Sequence, residues 1–354
     1  MYYEAIISVA IAFFAAAGAI PLLKNWLRKD PAQGGGQGAP LVPRVAGIGM
    51  LFGVFISLFY VGSGPLEATA LLVTGAFLAV CGAWLAWRGG KAASQGQSFG
   101  YELCASIVAV ASLLLWMPLA AVVWSAGTLV LAAMAMVTPA AMSYLGRAPS
   151  STPALPAAVA LAQLLLLVLL GLLGARNGAS AAYGEAFALI ALPVIGAQMG
   201  ALIYLSRTPW RHHAAISSDV ATLLCLGLVL AWGAVRLGLV PEAPSTGAIN
   251  GRTGAILWVL AVPVFELLCR CAAAYLPGTG AQTRAAPSTA SMCIFALIFG
   301  GLGILLWRLR VPEPWTLLAL VLAFMVYALA PVLMLYWSKT RRSEMADARR
   351  MTLR

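Results

Sequence analysis

The sequence predicts an all-α polytopic membrane protein of about eleven transmembrane helices, with its N-terminus outside the cytoplasm and its C-terminus inside. Three observations carry that prediction. Hydrophobic residues make up 62% of the chain and charged residues only 9%, with a mean hydropathy of +0.92. About a quarter of an ordinary soluble domain is charged, so no soluble fold could hide this much apolar surface. The apolar residues fall into eleven separate runs, and the basic residues between them alternate unequally in number.

A membrane-crossing helix needs roughly 20 mostly apolar residues, with about 17 to 25 tolerated. The runs are 5–23, 45–61, 68–87, 103–117, 120–144, 156–173, 186–205, 220–239, 254–275, 292–307 and 315–337. The first follows Glu4 rather than a basic region and lacks a small-residue cleavage site, so it reads as a retained helix and not a removed signal peptide. The fourth is short and abuts the fifth through Pro118. In the seventh, Gly196 and Gly200 have the small-x-x-x-small spacing that allows close helix packing. Together the runs define one transmembrane domain, residues 1–338, followed by a basic tail, 339–354.

Orientation follows from the 22 Lys and Arg residues. Lys24, Arg28, Lys29, Arg44, Arg88, Lys91, Arg147, Arg207, Arg211, Arg270, Arg284 and the tail lie on one side. Arg176, Arg236, Arg252, Arg308 and Arg310 lie on the other. Positive charge accumulates on the cytoplasmic side, which puts the tail and the loop 24–44 there. The polar loops 88–102 and 206–219 fall on the same side, so a soluble substrate would meet the cytoplasmic face. The net charge of +11 is topogenic and draws anionic lipid headgroups. It is no nucleic-acid footprint, because no basic face with interleaved aromatics is present.

The six cysteines, Cys81, Cys104, Cys225, Cys269, Cys271 and Cys293, show no metal-ligand spacing and read as small buried hydrophobes. Ionisable groups at membrane depth are functional candidates. Glu266 and Arg270 stand four residues apart on one helix face, suited to a mutually neutralising pair or to a ligand contact. Asp219, at the start of the eighth run, can cap a helix or serve as part of a metal or substrate site. His212 and His213 follow Trp210 and Arg211 in a basic loop. Gly34, Gly35, Gly36 and Gly38 lack the Lys and Ser or Thr of a phosphate-cradling loop and read as flexible chain.

In order along the chain, several short motifs resemble those of one family. Pro43-Arg44-Val45-Ala46-Gly47-Ile48-Gly49-Met50 resembles the "P-R-x-G-G-x-x" signature of the polyprenyl-phosphate N-acetylhexosamine-1-phosphate transferases. Asp30-Pro31 lies where that family has a "D-x-P" turn. Ser218-Asp219-Val220-Ala221-Thr222 is similar to its "G-D-A-G-S", and Pro263-Val264-Phe265-Glu266 to its "P-x-x-D". The resemblance implies an eleven-helix, N-out, C-in fold in the bacterial cytoplasmic membrane. It implies transfer of a sugar phosphate from a UDP-sugar to polyprenyl phosphate in cell-envelope polysaccharide assembly, with magnesium held on cytoplasmic aspartates.

The departures fall on that chemistry. The family's adjacent aspartates match Leu85 and Ala86, and its basic "R-K-x-H" matches Gly35, Gly36 and Gly38. The stretch 138–145 holds no carboxylate or amide, and 276–291 holds no histidine. The expectation is therefore a homologue without the standard catalysis, in which Asp219 is a remnant catalytic residue. Arg44, Arg207, Arg211, His212, His213, Glu266 and Arg270 would contact a lipid carrier. No cofactor is expected, with magnesium required only if the chain is active. The implied partners are membrane lipids, polyprenyl phosphate, a protein of envelope assembly or a second copy of the chain. The alternatives are an active transferase with a rearranged site and a transporter of a lipid-linked substrate.

Overall fold

The computed structural model describes residues 2–27, 49–50, 52–56, 71, 73–78, 80–81, 95–115, 125–147, 154–175, 181–205, 220–239, 251–275 and 289–329. Nearly all of these residues are helical. Nine helices are labelled in chain order: α1 (Tyr2–Leu27), α2 (Gln95–Leu115), α3 (Ala126–Arg147), α4 (Ala154–Ala175), α5 (Ala181–Leu205), α6 (Val220–Leu239), α7 (Gly251–Tyr275), α8 (Thr289–Arg308) and α9 (Glu313–Leu329). Further helical residues occur at 49–50, 52–56, 71, 73–78 and 80–81, between α1 and α2. Six helices, α3 to α8, are long and apolar enough to cross a membrane. The chain is thus an all-α membrane protein with several membrane-crossing helices.

One boundary differs from the sequence expectation in an informative way. The polar stretch 88–102 was expected to be a loop, yet α2 begins at Gln95 and is 21 residues long. Its early turns are anchored on α3. Glu102 is fully buried and accepts a hydrogen bond from the Ser143 hydroxyl at 2.9 Å, while Phe99 meets the Tyr144 ring edge-on at 5.3 Å. Glu102 can sit buried in the helix here because its carboxylate finds a donor inside the bundle.

Helix α6 is the hub. It packs against α2, α3, α4, α5 and α7, and 89% of its apolar span is buried, against 28% for α8. A helix hydrophobic all round belongs either in a core or in lipid, and α6 and α8 are the two cases. Leu297, Ile298, Leu302 and Leu305 of α8, with Leu318, Val321, Leu322 and Val326 of α9, stay exposed, as a lipid-facing surface requires.

Small residues let the backbones approach. Helix α1 lies against α5, and a Cβ on Gly200 would stand 2.6 Å from the Phe13 carbonyl oxygen. Gly196 meets the Val9 carbonyl in the same way, so the expected packing role of both glycines is what the structure shows. The order 9, 13 against 196, 200 makes the two helices parallel. Gly49 and Gly53 repeat the device on another side of α1, against Ile20, Ala16 and Ala12.

Four helices contain an internal proline, which removes an N–H and leaves the carbonyl four residues earlier without its helical partner. In lipid such a group must be satisfied by a neighbour. Two of these carbonyls are captured across helices. Pro21 releases the Ala17 carbonyl, to which the Tyr204 hydroxyl of α5 donates at 3.0 Å. Pro263 releases the Val259 carbonyl, to which Gln163 Nε2 of α4 donates at 2.7 Å. Gln163 is fully buried, so it tethers α4 to the middle of α7.

Candidate functional site

Consecutive helices alternate in direction, so polar side chains collect at two ends of the bundle. At one end stand the starts of α3, α7 and α9 and the ends of α4, α6 and α8. Glu313 Oε1, at the start of α9, accepts from the Gly127 N–H at 2.7 Å and from the Ser125 hydroxyl at 2.8 Å. An acid at a helix N-terminus answers the unsatisfied N–H groups and the positive end of the macrodipole. Here it comes from a remote helix. Ser125 and Thr128 add a reciprocal cap, with the Ser125 N–H donating to Thr128 Oγ1 at 2.7 Å and the Thr128 N–H to Ser125 Oγ at 3.2 Å.

The buried Arg252 guanidinium packs on Gly174, near the end of α4, and buried Arg236 lies in the last turn of α6. Both cations sit where a helix end is negative. The Thr253 hydroxyl donates to the Gly238 carbonyl at 3.1 Å and Trp258 Nε1 to the Thr316 carbonyl at 3.3 Å. This end is cross-capped: neighbours satisfy one another's helix termini.

The other end carries the candidate site. Glu266, three residues beyond Pro263 in α7, is 1% exposed, and Arg270 one turn later keeps 17% of its side-chain surface. Arg270 Nε donates to Glu266 Oε1 at 2.6 Å. The Tyr327 hydroxyl of α9 donates to Glu266 Oε2 at 2.8 Å and lies 3.6 Å from Met292 Sδ of α8. A phenol has one proton, and the carboxylate is its stronger acceptor. Tyr327 also contacts Phe265, Phe295 and Phe299 at ring distances of 6.0, 6.1 and 6.4 Å. An aromatic cluster thus lines the Tyr327 side of the carboxylate, and burial of Glu266 strengthens the hydrogen bonds it accepts.

The structure therefore brings together two sequence-predicted residues, Glu266 and Arg270, and adds a third that sequence reasoning missed. Tyr327 stands inside an apolar run, and its hydroxyl becomes meaningful only once α9 is docked beside α7. Glu102 with Ser143 was also missed, because a carboxylate at the edge of a Gly, Ser and Gln stretch looks like loop. Asp219, Arg44, Arg207, Arg211, His212 and His213 lie outside the described residues, as do Asp30, Leu85, Ala86 and the glycines at 34–38.

Magnesium takes hard oxygen ligands in octahedral geometry. Of the carboxylates that the resemblance implicates, Glu266 is the described one, and its two oxygens already accept from a guanidinium and a phenol. Those contacts do not fit a magnesium site. Among the described residues no three His, Cys, Asp or Glu side chains come together.

No protein-family model matches this chain, and no curated protein matches it in sequence.

Proposed function

We propose that this chain is an eleven-helix, N-out, C-in protein of the bacterial cytoplasmic membrane, a non-catalytic homologue of the polyprenyl-phosphate sugar-1-phosphate transferases. It serves envelope polysaccharide assembly by binding a polyprenyl-phosphate carrier or by holding a protein partner. One observation carries most of the weight. The carboxylate that the resemblance puts in the reaction centre is committed to Arg270 and Tyr327, which supports a structural and not a metal-binding Glu266. The residues Leu85 and Ala86, where the family has aspartates, support the same reading. Phosphoryl transfer depends on metal and cationic groups to offset developing charge, and Leu85, Ala86, Gly35, Gly36 and Gly38 stand where the family has its metal-binding and basic residues. The cross-capped opposite end speaks against a pathway opening at both faces.

The test is direct. Purified protein, supplied with UDP-sugars, polyprenyl phosphate and magnesium, is expected to release no UMP while retaining polyprenyl phosphate saturably. Turnover that stops on chelation and in Asp219→Ala would overturn the reading.

A further inference from the structure

The resemblance sets Arg270 against a lipid carrier, and its geometry bears on which phosphate headgroup it takes. Glu266 engages the guanidinium at Nε through Oε1, while Oε2 is taken by Tyr327. The pair is therefore monodentate. The terminal amino groups of Arg270 are not part of that bridge, and the side chain keeps 17% of its surface open. The guanidinium is held through Nε, the side chain stays partly open, and an arginine's planar fork is suited to phosphate.

Depth in the bilayer indicates what would meet it. Helix α7 has 25 residues centred on Pro263. At about 1.5 Å per residue Arg270 lies about 10 Å from that centre, and the hydrocarbon boundary lies about 15 Å from the bilayer midplane. The gap is within a side chain's reach. Beside the site, Phe295 is 40% exposed and packs edge-on against Tyr327, and Ile294, Val326 and Leu329 are also exposed. An acyl chain can lie along these residues of α8 and α9. The basic tail, with Lys339, Arg341 and Arg342, follows α9 in the sequence.

From these observations we infer that Arg270 is the headgroup ligand of a resident anionic phospholipid, its terminal amino groups binding one phosphodiester at the basic end of the bundle. The charge balance selects the diester. Glu266 already offsets part of the arginine's charge, so the site suits a single negative charge. A phosphomonoester or diphosphate, with two or more charges, would need further cations.

The experiment is native mass spectrometry of the full chain released from detergent, titrated separately with phosphatidylglycerol, phosphatidylethanolamine and polyprenyl phosphate. Wild type is expected to bind phosphatidylglycerol in preference to phosphatidylethanolamine. One interfacial basic residue contributes about 1 kcal/mol to anionic lipid binding, so Glu266→Gln/Arg270→Gln should weaken phosphatidylglycerol about five-fold. Glu266→Gln keeps hydrogen-bonding groups beside Arg270 and Tyr327 but removes the opposing charge, so it should tighten binding. That sign change would not arise from a purely structural arginine, and it can be read even if the double variant folds poorly. Arg308→Gln, at the opposite end over Trp307, should change nothing. Equal binding of the two phospholipids, or no tightening in Glu266→Gln, overturns the inference. Polyprenyl phosphate displacing phosphatidylglycerol from this site at equal concentration overturns the diester assignment. Polyprenyl phosphate binding that survives both substitutions leaves the carrier-binding function standing whatever phosphatidylglycerol does.

Discussion

Breaking the Glu266–Arg270 pair from its two sides should have unequal effects. Arg270→Met leaves a carboxylate that is 1% exposed with the Tyr327 hydroxyl as its remaining donor in this triad. Removing one partner of a buried pair typically costs about 3–5 kcal/mol, and this variant should sit in that range. Glu266→Gln is milder for two reasons. Its amide can still accept from Arg270, and the arginine, 17% exposed, can recover some hydration. The loss should then be that of a charge-assisted hydrogen bond reduced to a neutral one, about 1–2 kcal/mol. The double variant Glu266→Gln/Arg270→Met strands no charge at all and should be more stable than Arg270→Met alone. Unfolding in detergent, followed by circular dichroism against temperature and denaturant, reads all three. A double variant less stable than Arg270→Met would refute the pairing argument, since it would mean Glu266 is held by groups other than its arginine.

Gln163→Leu should lose about 1–3 kcal/mol by leaving the buried Val259 carbonyl without a donor, and adding Pro263→Ala should restore most of it, since the alanine N–H reforms the helical bond; both are read by the same unfolding assay. Gly127→Ala should destabilise by about 1–3 kcal/mol, because the added methyl collides with the Glu313 carboxylate. Gly100→Ala in α2, where a Cβ meets nothing within 4 Å, should be neutral or stabilising by up to about 1 kcal/mol; comparison of the two melting curves checks this. For the topology, single cysteines placed at 34–38 and at 62–67 in a cysteine-free background should label from opposite sides of the membrane, and labelling from the same side would sink the N-out, C-in arrangement.

Much of this molecule can be read from its apolar runs, because lipid imposes length and helicity together. The ion pair was legible for a similar reason: i,i+4 spacing puts Glu266 and Arg270 on one face whatever the fold does. Gly196 and Gly200 likewise announced a close contact, though not that α1 was the helix in contact. What could not be read was anything that depends on which helices become neighbours. Tyr327 is 61 residues from Glu266, and Gln163 is 96 from the carbonyl it captures; no local pattern encodes either pairing. Glu102 was hidden by composition, since Gln95 to Gly100 is turn-like in sequence and helical in place. Gly49 belongs to a family-like motif, yet in the bundle it does a packing task against Ile20 and Ala16, a reminder that a motif glycine has a mechanical use as well as a chemical one.

The cap on α3 also bears on how the protein is made. Glu313 reaches back 186 residues to the N–H of Gly127, so the ribosome must deliver almost the whole chain before α3 is finished. Until then the Gly127 N–H lacks this acceptor. Docking of α9 is therefore the step that completes this cap. Nascent chains arrested before residue 313 should leave a cysteine in place of Ser125, which lies against Glu313, open to alkylation, and chains that extend past α9 should protect it.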